Sequence, residues 1–289
     1  MKYQEFTINK EYKTIYYFLK DEGFAENFIT NLRKSWGNFK VNGNIVNIRK
    51  PLKIGDKLEI NSNPNSKTTI MHCIIPLNIV YEDKYYLLIN KNSGLSCMPS
   101  RSHYTNNLAG AICNYMKEKD DNFVLRIINR LDKDTAGIII VAKDSISANK
   151  LKEVQKTYHA ICEGEVRDKV TINKKIKTIT NNGINQHKRI ISEDGQDAIT
   201  YVTPISHNKN LSLLSIKLEH GRTHQIRLHL SSIGYPLLGD ELYGKKSEII
   251  DHTALLCKEI SFYHPYLEKY LHFEVDYPDD FNKILKNIK

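Results

Sequence analysis

"RIINRLDKDTAGIIIVAK", residues 126–143, sets two arginines and two aspartates directly against an aliphatic run. The run "AGIIIVAK" is β-branched and unbroken, so it reads as a fully buried strand. The charged loop before it, Asn129 to Gly137, sits where a scaffold can hold a side chain rigidly at a sheet edge. Asp132 is therefore a candidate nucleophile, with Arg130 or another arginine keeping it ionised. An ordinary Arg/Asp turn that closes the strand and does no chemistry fits the same residues, because charged turns are common on surfaces. Asp134 reads as a turn or capping residue, since Asp before Thr-x-Gly readily bonds its own backbone.

Working outward, strands outnumber helices. "IVYEDKYYLLINK" reads as two strands around an Asp-Lys turn, "TYHAICEGEV" as a strand, and "AITYVTPIS" with "LSLLSIKLEHG" as a β pair. "ALLCKEISFYHP" and "LHFEVDYP" return to strands, while "NNLAGAICNYMKEK", "SISANKLKEVQK" and "THQIRLHLSSIG" have helical spacing. With few β-α-β alternations, the expected class is α+β: a mixed, mainly antiparallel sheet with peripheral helices. Before it, "TIYYFLKDEGFAENFITNLRKS" reads as helical and "GNFKVNGNIVNIRKPLKIGDKLEI" as short β runs divided by Val-Asn-Gly and Gly-Asp turns. The expected organisation is a small α/β unit over residues 1–60, a linker over 61–74 that opens on the polar "NSNPNSKTT", and a large domain over 75–289.

The 289 residues carry 42 Lys and Arg against 33 Asp and Glu, a net charge of +9, as suits a partner rich in phosphate. No run of about 18 apolar residues appears and the N-terminus lacks a signal segment, so a cytoplasmic protein without a membrane partner is expected. Five scattered cysteines without a C-x-x-C pair argue against a disulfide framework and a zinc knuckle.

A second charged constellation is "HGRTHQIRLHLSSIGYPLLGDELYG", residues 220–244. If Thr223 begins a helix, Arg227 lies one turn later and projects toward the sheet, with Gly221 permitting the tight entry. His220, His224 and His229 invite a zinc reading, but their spacing is off and no H-E-x-x-H appears. Tyr158 on a β run fits the core or a partner-stacking role. Phosphate loops, dinucleotide fingerprints and the G-x-S-x-G elbow are all missing, which removes the commonest nucleotide-hydrolysing and esterase classes.

Taken together and in this order, these segments resemble the pseudouridine synthases of the RluA family. The family loop H-R-L-D-x-x-T-S-G stands here as "NRLDKDTAG". Its later signature G-R-T-H-Q-I-R-x-H-x-x-x-x-G-x-P-x-x-G-D-x-x-Y-G stands as "GRTHQIRLHLSSIGYPLLGDELYG". "INKNSGLSCMPS", "KTYHAICEGEV", "DGQDAITYVTPI" and "ALLCKEISFYHP" are similar to further family segments, so the likeness covers roughly residues 75–280. Residues 14–60 resemble the alpha-L RNA-binding module that many members carry, with an ordinary β-hairpin appendage as the alternative.

The resemblance implies an isomerase that breaks the C1′–N1 bond of a uridine, turns the uracil and joins its C5 to C1′, with no cofactor or metal. It makes Asp132 the catalytic carboxylate and Arg227 the group expected to pair with it and hold it ionised. Tyr158 would stack on the flipped base and assist loss of the C5 proton. Leu255 would pack on the base's other side, Arg130 would face RNA, and Arg222 would join it in holding substrate. Arg33, Lys34, Lys40 and Lys174 to Lys177 are expected to grip phosphates. The favoured partner is large-subunit ribosomal RNA, with transfer RNA as the alternative, for a monomer needing no protein partner. Asn129, Ala136 and Leu256 stand where the family has histidine, serine and histidine. A non-catalytic RNA-binding or ribosome-assembly protein, and a base-removing glycosylase, remain the rival readings.

Overall fold

The computed structural model describes residues 2–63, 70–100, 104–119, 123–181 and 184–288. The chain opens with β1 (Tyr3–Thr7), α1 (Ile15–Asp21), α2 (Glu26–Arg33), β2 (Phe39–Val41), β3 (Asn44–Val46) and β4 (Lys57–Asn61). The strands form a four-stranded sheet in the order β1-β4-β2-β3. The helical stretch expected over 14–34 is two helices, because Gly23 takes a left-handed φ of 75° and turns Phe24 into the core. Ile15, Leu19, Ile29, Leu32, Phe39, Leu58 and Ile60 supply the apolar face that holds helices to sheet.

The larger part contains β5 (Ile79–Glu82), β6 (Tyr86–Lys91), α3 (Leu108–Lys117), β7 (Arg126–Ile127), β8 (Ala136–Ala142), α4 (Ser145–Lys150) and β9 (Gln155–Glu163). It continues with β10 (Val170–Asn173), β11 (Ile176–Asn181), β12 (Ile184–Ile191), β13 (Ile199–His207), β14 (Leu211–Leu218) and α5 (Gln225–Ser231). It ends with β15 (Leu255–His264), β16 (Lys269–Glu274) and α6 (Asp279–Leu285). Ten strands form one sheet along the path β10-β13-β14-β9-β15-β8-β6-β5, with β16 beside β15 and β7 beside β8, while β11 and β12 form a separate hairpin. The pairings are antiparallel except β15 against β8. All seven residues of β8 are buried, as its unbroken aliphatic run requires. Gly137 on β8 has φ 113°, and a Cβ there would overlap the Cys257 carbonyl, so glycine permits the parallel contact.

The helix expected over 145–156 stops at Lys150. Glu153 turns at φ 48°, and Gln155 and Lys156 pair with Ser261 and Ile260, so sheet pairing overrides helical spacing. Of the expected linker, Asn61 belongs to β4, residues 64–69 lie outside the described residues, and Cys73 donates its N–H to the Gly110 carbonyl of α3 at 3.1 Å. The four-stranded unit rests on α4. Ile146 enters its core, Ser145 donates its N–H to the Ser62 carbonyl at 3.0 Å, and Lys150 pairs with Glu22 at 2.9 Å.

Candidate active site

A cleft of about 590 Å3 opens between the β7–β8 loop, β9, the β14–α5 connection and the start of β15. Arg130, Asp132, Tyr158, Arg222, Arg227 and Leu255 all line it. The sheet order explains the convergence: β8, β15 and β9 are neighbours, and β14 follows β9.

The loop bearing Asp132 is braced from beneath. The buried Asn129 donates its amide to the Ile138 carbonyl at 2.9 Å and accepts the Ile140 N–H at 2.8 Å, so it clasps β8 as a strand neighbour would. Lys91, 1% exposed, donates to the carbonyls of Asn92, Leu95 and Lys133, each at 2.9 Å. Burial pushes its pKa down to about 8. The Cys97 thiol donates to the Leu131 carbonyl at 3.1 Å, and Ser93 to that of Asp134 at 2.9 Å. With the carbonyls of 131, 133 and 134 held, the Asp132 side chain is left facing the cleft on a rigid support.

Arg227 lies near Asp132, its Nη1 3.8 Å from Oδ2, but its tight partner is another residue. It donates from Nε and Nη2 to the two carboxylate oxygens of the fully buried Asp240, both at 2.8 Å. Burial works against the guanidinium charge, yet Asp240 and then Asp132 raise its pKa above the usual value. The expected Asp132–Arg227 pair is thus a longer contact to a cation already fixed by Asp240.

His224 is the second group beside Asp132, with Nε2 3.8 Å from Oδ2. Helix α5 begins at Gln225 rather than Thr223, and the tight entry falls on His224, with φ 59°, not on Gly221. Tyr243 Oη accepts the Arg189 backbone N–H at 2.7 Å and lies 3.1 Å from His224 Nδ1. Tyr243 thus ties the Nδ1 edge of the ring to the β12 backbone and leaves the Nε2 edge turned toward Asp132. A left-handed, buried histidine beside a carboxylate is a locally strained arrangement of the kind that clusters at functional sites. His229 instead contacts Thr200 and the Lys174 carbonyl, and among the described residues no group of three metal-ligating side chains gathers.

Tyr158, on β9 opposite Cys257, is buried to 7% exposure, and burial raises its phenol pKa well above normal, helped by Cys257 and Asp132. Leu255 begins β15 opposite Ala160. Arg222 donates from Nε to the Asp197 carbonyl at 3.1 Å, and Arg130 is exposed at the mouth. Of the expected phosphate-gripping lysines, Lys40 pairs with Glu59, Lys177 with Asp194, and Lys174 donates to Ser232 at 3.1 Å. Reasoning from sequence missed Lys91, Cys97 and Asp240; Asp240 lay in plain view in "GDELYG", thirteen residues after its partner.

A family model described as RNA pseudouridylate synthase matches residues 85–232. The chain belongs to this family, of the RluA type. An uncharacterized RNA pseudouridine synthase of Bacillus subtilis, YjbO, is 31% identical over 94% of this chain and 98% of its own length. Ribosomal large subunit pseudouridine synthase D of Zymomonas mobilis is 33% identical over 73% of each chain, and its Pseudomonas aeruginosa namesake 29% over 88% and 84%. Among solved structures, human RNA pseudouridylate synthase domain containing 4 superposes with a TM-score of 0.58 at 22% identity, covering 73% of this chain and 92% of that one, which concerns the fold alone. The enzyme is thus an isomerase acting on RNA. Among the described residues no helix is long and apolar enough to cross a membrane.

Proposed function

We propose that this enzyme converts uridines of large-subunit ribosomal RNA to pseudouridine in the cytoplasm, with Asp132 as the catalytic carboxylate. The observation that carries this is the Asp132 carboxylate on the cleft wall, with Arg227 Nη1 and His224 Nε2 both 3.8 Å from Oδ2. The positive charge of Arg227 favours the ionised form of Asp132, which must attack or abstract at the ribose as uracil leaves. The C1′–N1 bond breaks, the uracil turns, C5 bonds to C1′, and the C5 proton balances the one gained at N1. The leaving base delocalises its own charge, so a second carboxylic acid is unnecessary.

Tyr158 and Leu255 would sandwich the base. Because burial holds the tyrosine protonated, stacking is its favoured part, rather than action as a phenolate base. Arg130 and Arg222 stand at the walls to hold phosphates or fill the space the uridine leaves. The relatives named for the large ribosomal subunit favour that RNA.

The test is to delete the gene, map pseudouridines in ribosomal and transfer RNA, and complement with wild type or Asp132→Asn. Ribosomal marks restored only by wild type are expected. Marks lost from transfer RNA would move the substrate there, marks restored by Asp132→Asn would remove Asp132 from its role, and no lost mark would leave a protein that binds RNA without this reaction.

A further inference from the structure

Tyr243, in the stretch "GDELYG", stands outside the walls of the Asp132 cleft yet meets both groups that flank Asp132. Arg227 Cζ lies over its ring, 5.4 Å from the centroid, within cation–π range. Its Oη lies 3.1 Å from His224 Nδ1, and the two rings meet edge to face at 80°. The same oxygen accepts the Arg189 backbone N–H of β12 at 2.7 Å. The main chain of Tyr243 is fixed as well. Its N–H donates to Asp240 Oδ1 at 3.1 Å, and its carbonyl accepts from Ser231 Oγ at 2.6 Å, on the helix that bears Arg227. One half-buried residue therefore touches Arg227, His224, Asp240, α5 and the β11–β12 hairpin. Each contact adds a restraint: Asp240 grips one edge of the guanidinium while the tyrosine ring backs the same group, and the hydroxyl holds His224 by the edge away from Asp132.

We propose that Tyr243 is a positioning residue of the isomerisation: its ring and hydroxyl set Arg227 and His224 against Asp132 and tie both to the hairpin backbone at Arg189. This rests on the reading of Asp132 as the catalytic carboxylate. Because Tyr243 forms no wall of the cleft, its removal acts on the chemical step and not on RNA affinity. A displacement of about 1 Å, transmitted from outside the reacting groups, can cost on the order of 100-fold in rate, which sets the scale of the effect.

The test compares Tyr243→Phe, which keeps the ring, with Tyr243→Leu, which removes ring and hydroxyl together. In conversion of ribosomal and transfer RNA transcripts, Tyr243→Phe should lower kcat by roughly 10-fold and Tyr243→Leu by roughly 100-fold, each at the wild-type KM. Ile284 of α6 lies in the main core and lines no part of the cleft, so Ile284→Ala controls for lost stability alone. Assayed below all the melting transitions, it should have a lowered Tm and wild-type kcat. The imidazole 15N signals of His224, identified by their loss in His224→Asn, should shift in Tyr243→Phe. Wild-type kcat in Tyr243→Leu, a raised KM at wild-type kcat, an equal fall of kcat in Ile284→Ala or an unmoved His224 signal would overturn the proposal and leave the synthase intact. If the wild type converts neither transcript, the functional reading fails by itself, and the His224 signal still decides whether Tyr243 holds the ring.

Discussion

Replacing Asp240 and Asp132 separately by asparagine should divide support from chemistry. Asp240 is fully buried, accepts both Arg227 N–H groups at 2.8 Å, and also accepts the backbone N–H groups of Leu242 and Tyr243 at 3.0 and 3.1 Å. Removing one partner of a buried ion pair costs about 3–5 kcal/mol, and Asp240→Asn keeps one acceptor oxygen, so about 3 kcal/mol is expected. In a chain of this size that lowers Tm by roughly 6–12 °C. Asp132 is different: its side chain is 28% exposed and its contact with Arg227 is 3.8 Å. A half-solvated pair of that length is worth about 1 kcal/mol or less, so Asp132→Asn should melt within about 3 °C of wild type. The assay is thermal unfolding by circular dichroism beside conversion of uridine in a ribosomal transcript. Asp132→Asn should abolish conversion at nearly unchanged Tm, and Asp240→Asn should lower both. Equal destabilisation by the two variants would refute the assignment, as would an Asp240→Asn protein that melts like wild type.

Lys91 releases its proton near pH 8 when folded and near 10.5 when unfolded, so the unfolded chain binds more protons between those values. Stability should therefore rise through that window by about 1.4 kcal/mol per pH unit from this group, and melting curves of Lys91→Met should lack the rise. His224→Asn keeps a residue type that tolerates the φ of 59° while removing the imidazole; it should lower kcat with the protein still folded, whereas wild-type kcat would exclude His224 from the site. Ala136 and Leu256 are partners in the parallel register of β8 and β15. Leu256→His alone should destabilise, and adding Ala136→Ser should recover about 0.5–3 kcal/mol in a double-mutant cycle; additive effects would show the two positions to be independent.

The strand β8 was legible because a strand buried on both faces must be apolar throughout, whereas the charged loop before it fits an ordinary turn equally well and was singled out only by its resemblance to the family loop. The β13–β14 pair showed in alternation and turn residues. What sequence could not supply was the set of neighbours that meet only in the fold. Lys91 ends β6 and Cys97 follows it, yet both grip carbonyls of the Asp132 loop more than thirty residues on. Backbone carbonyls have no sequence signature, so this bracing is silent in the chain. Matching opposite charges by role pairs Arg227 with Asp132, whereas in the fold its Nε–Nη2 edge is held by Asp240 and its Nη1 lies 3.8 Å from Asp132. The overlong α4 has a similar cause: "LKEVQK" has helical spacing, but strand pairing with β15 is available to it and wins.

The three departures from the family pattern fall into one bracing residue and one buried pair in this fold. Asn129 borders the cleft, but both ends of its amide are bonded to β8, so the position belongs to the frame that holds the loop. Ala136 opens the same strand, 4% exposed, and Leu256 lies beside it in β15 at 1%. Where the family places serine and histidine, two polar side chains would share one dry site and could satisfy each other. Changing either alone would leave a buried polar group without its partner, at a cost of about 1–3 kcal/mol. Changing both gives an apolar pair that needs none. The substitutions therefore alter how β7, β8 and β15 are joined while leaving Asp132, Arg227 and Tyr158 on the cleft wall, which is why departures inside a signature can coexist with the chemistry the signature denotes.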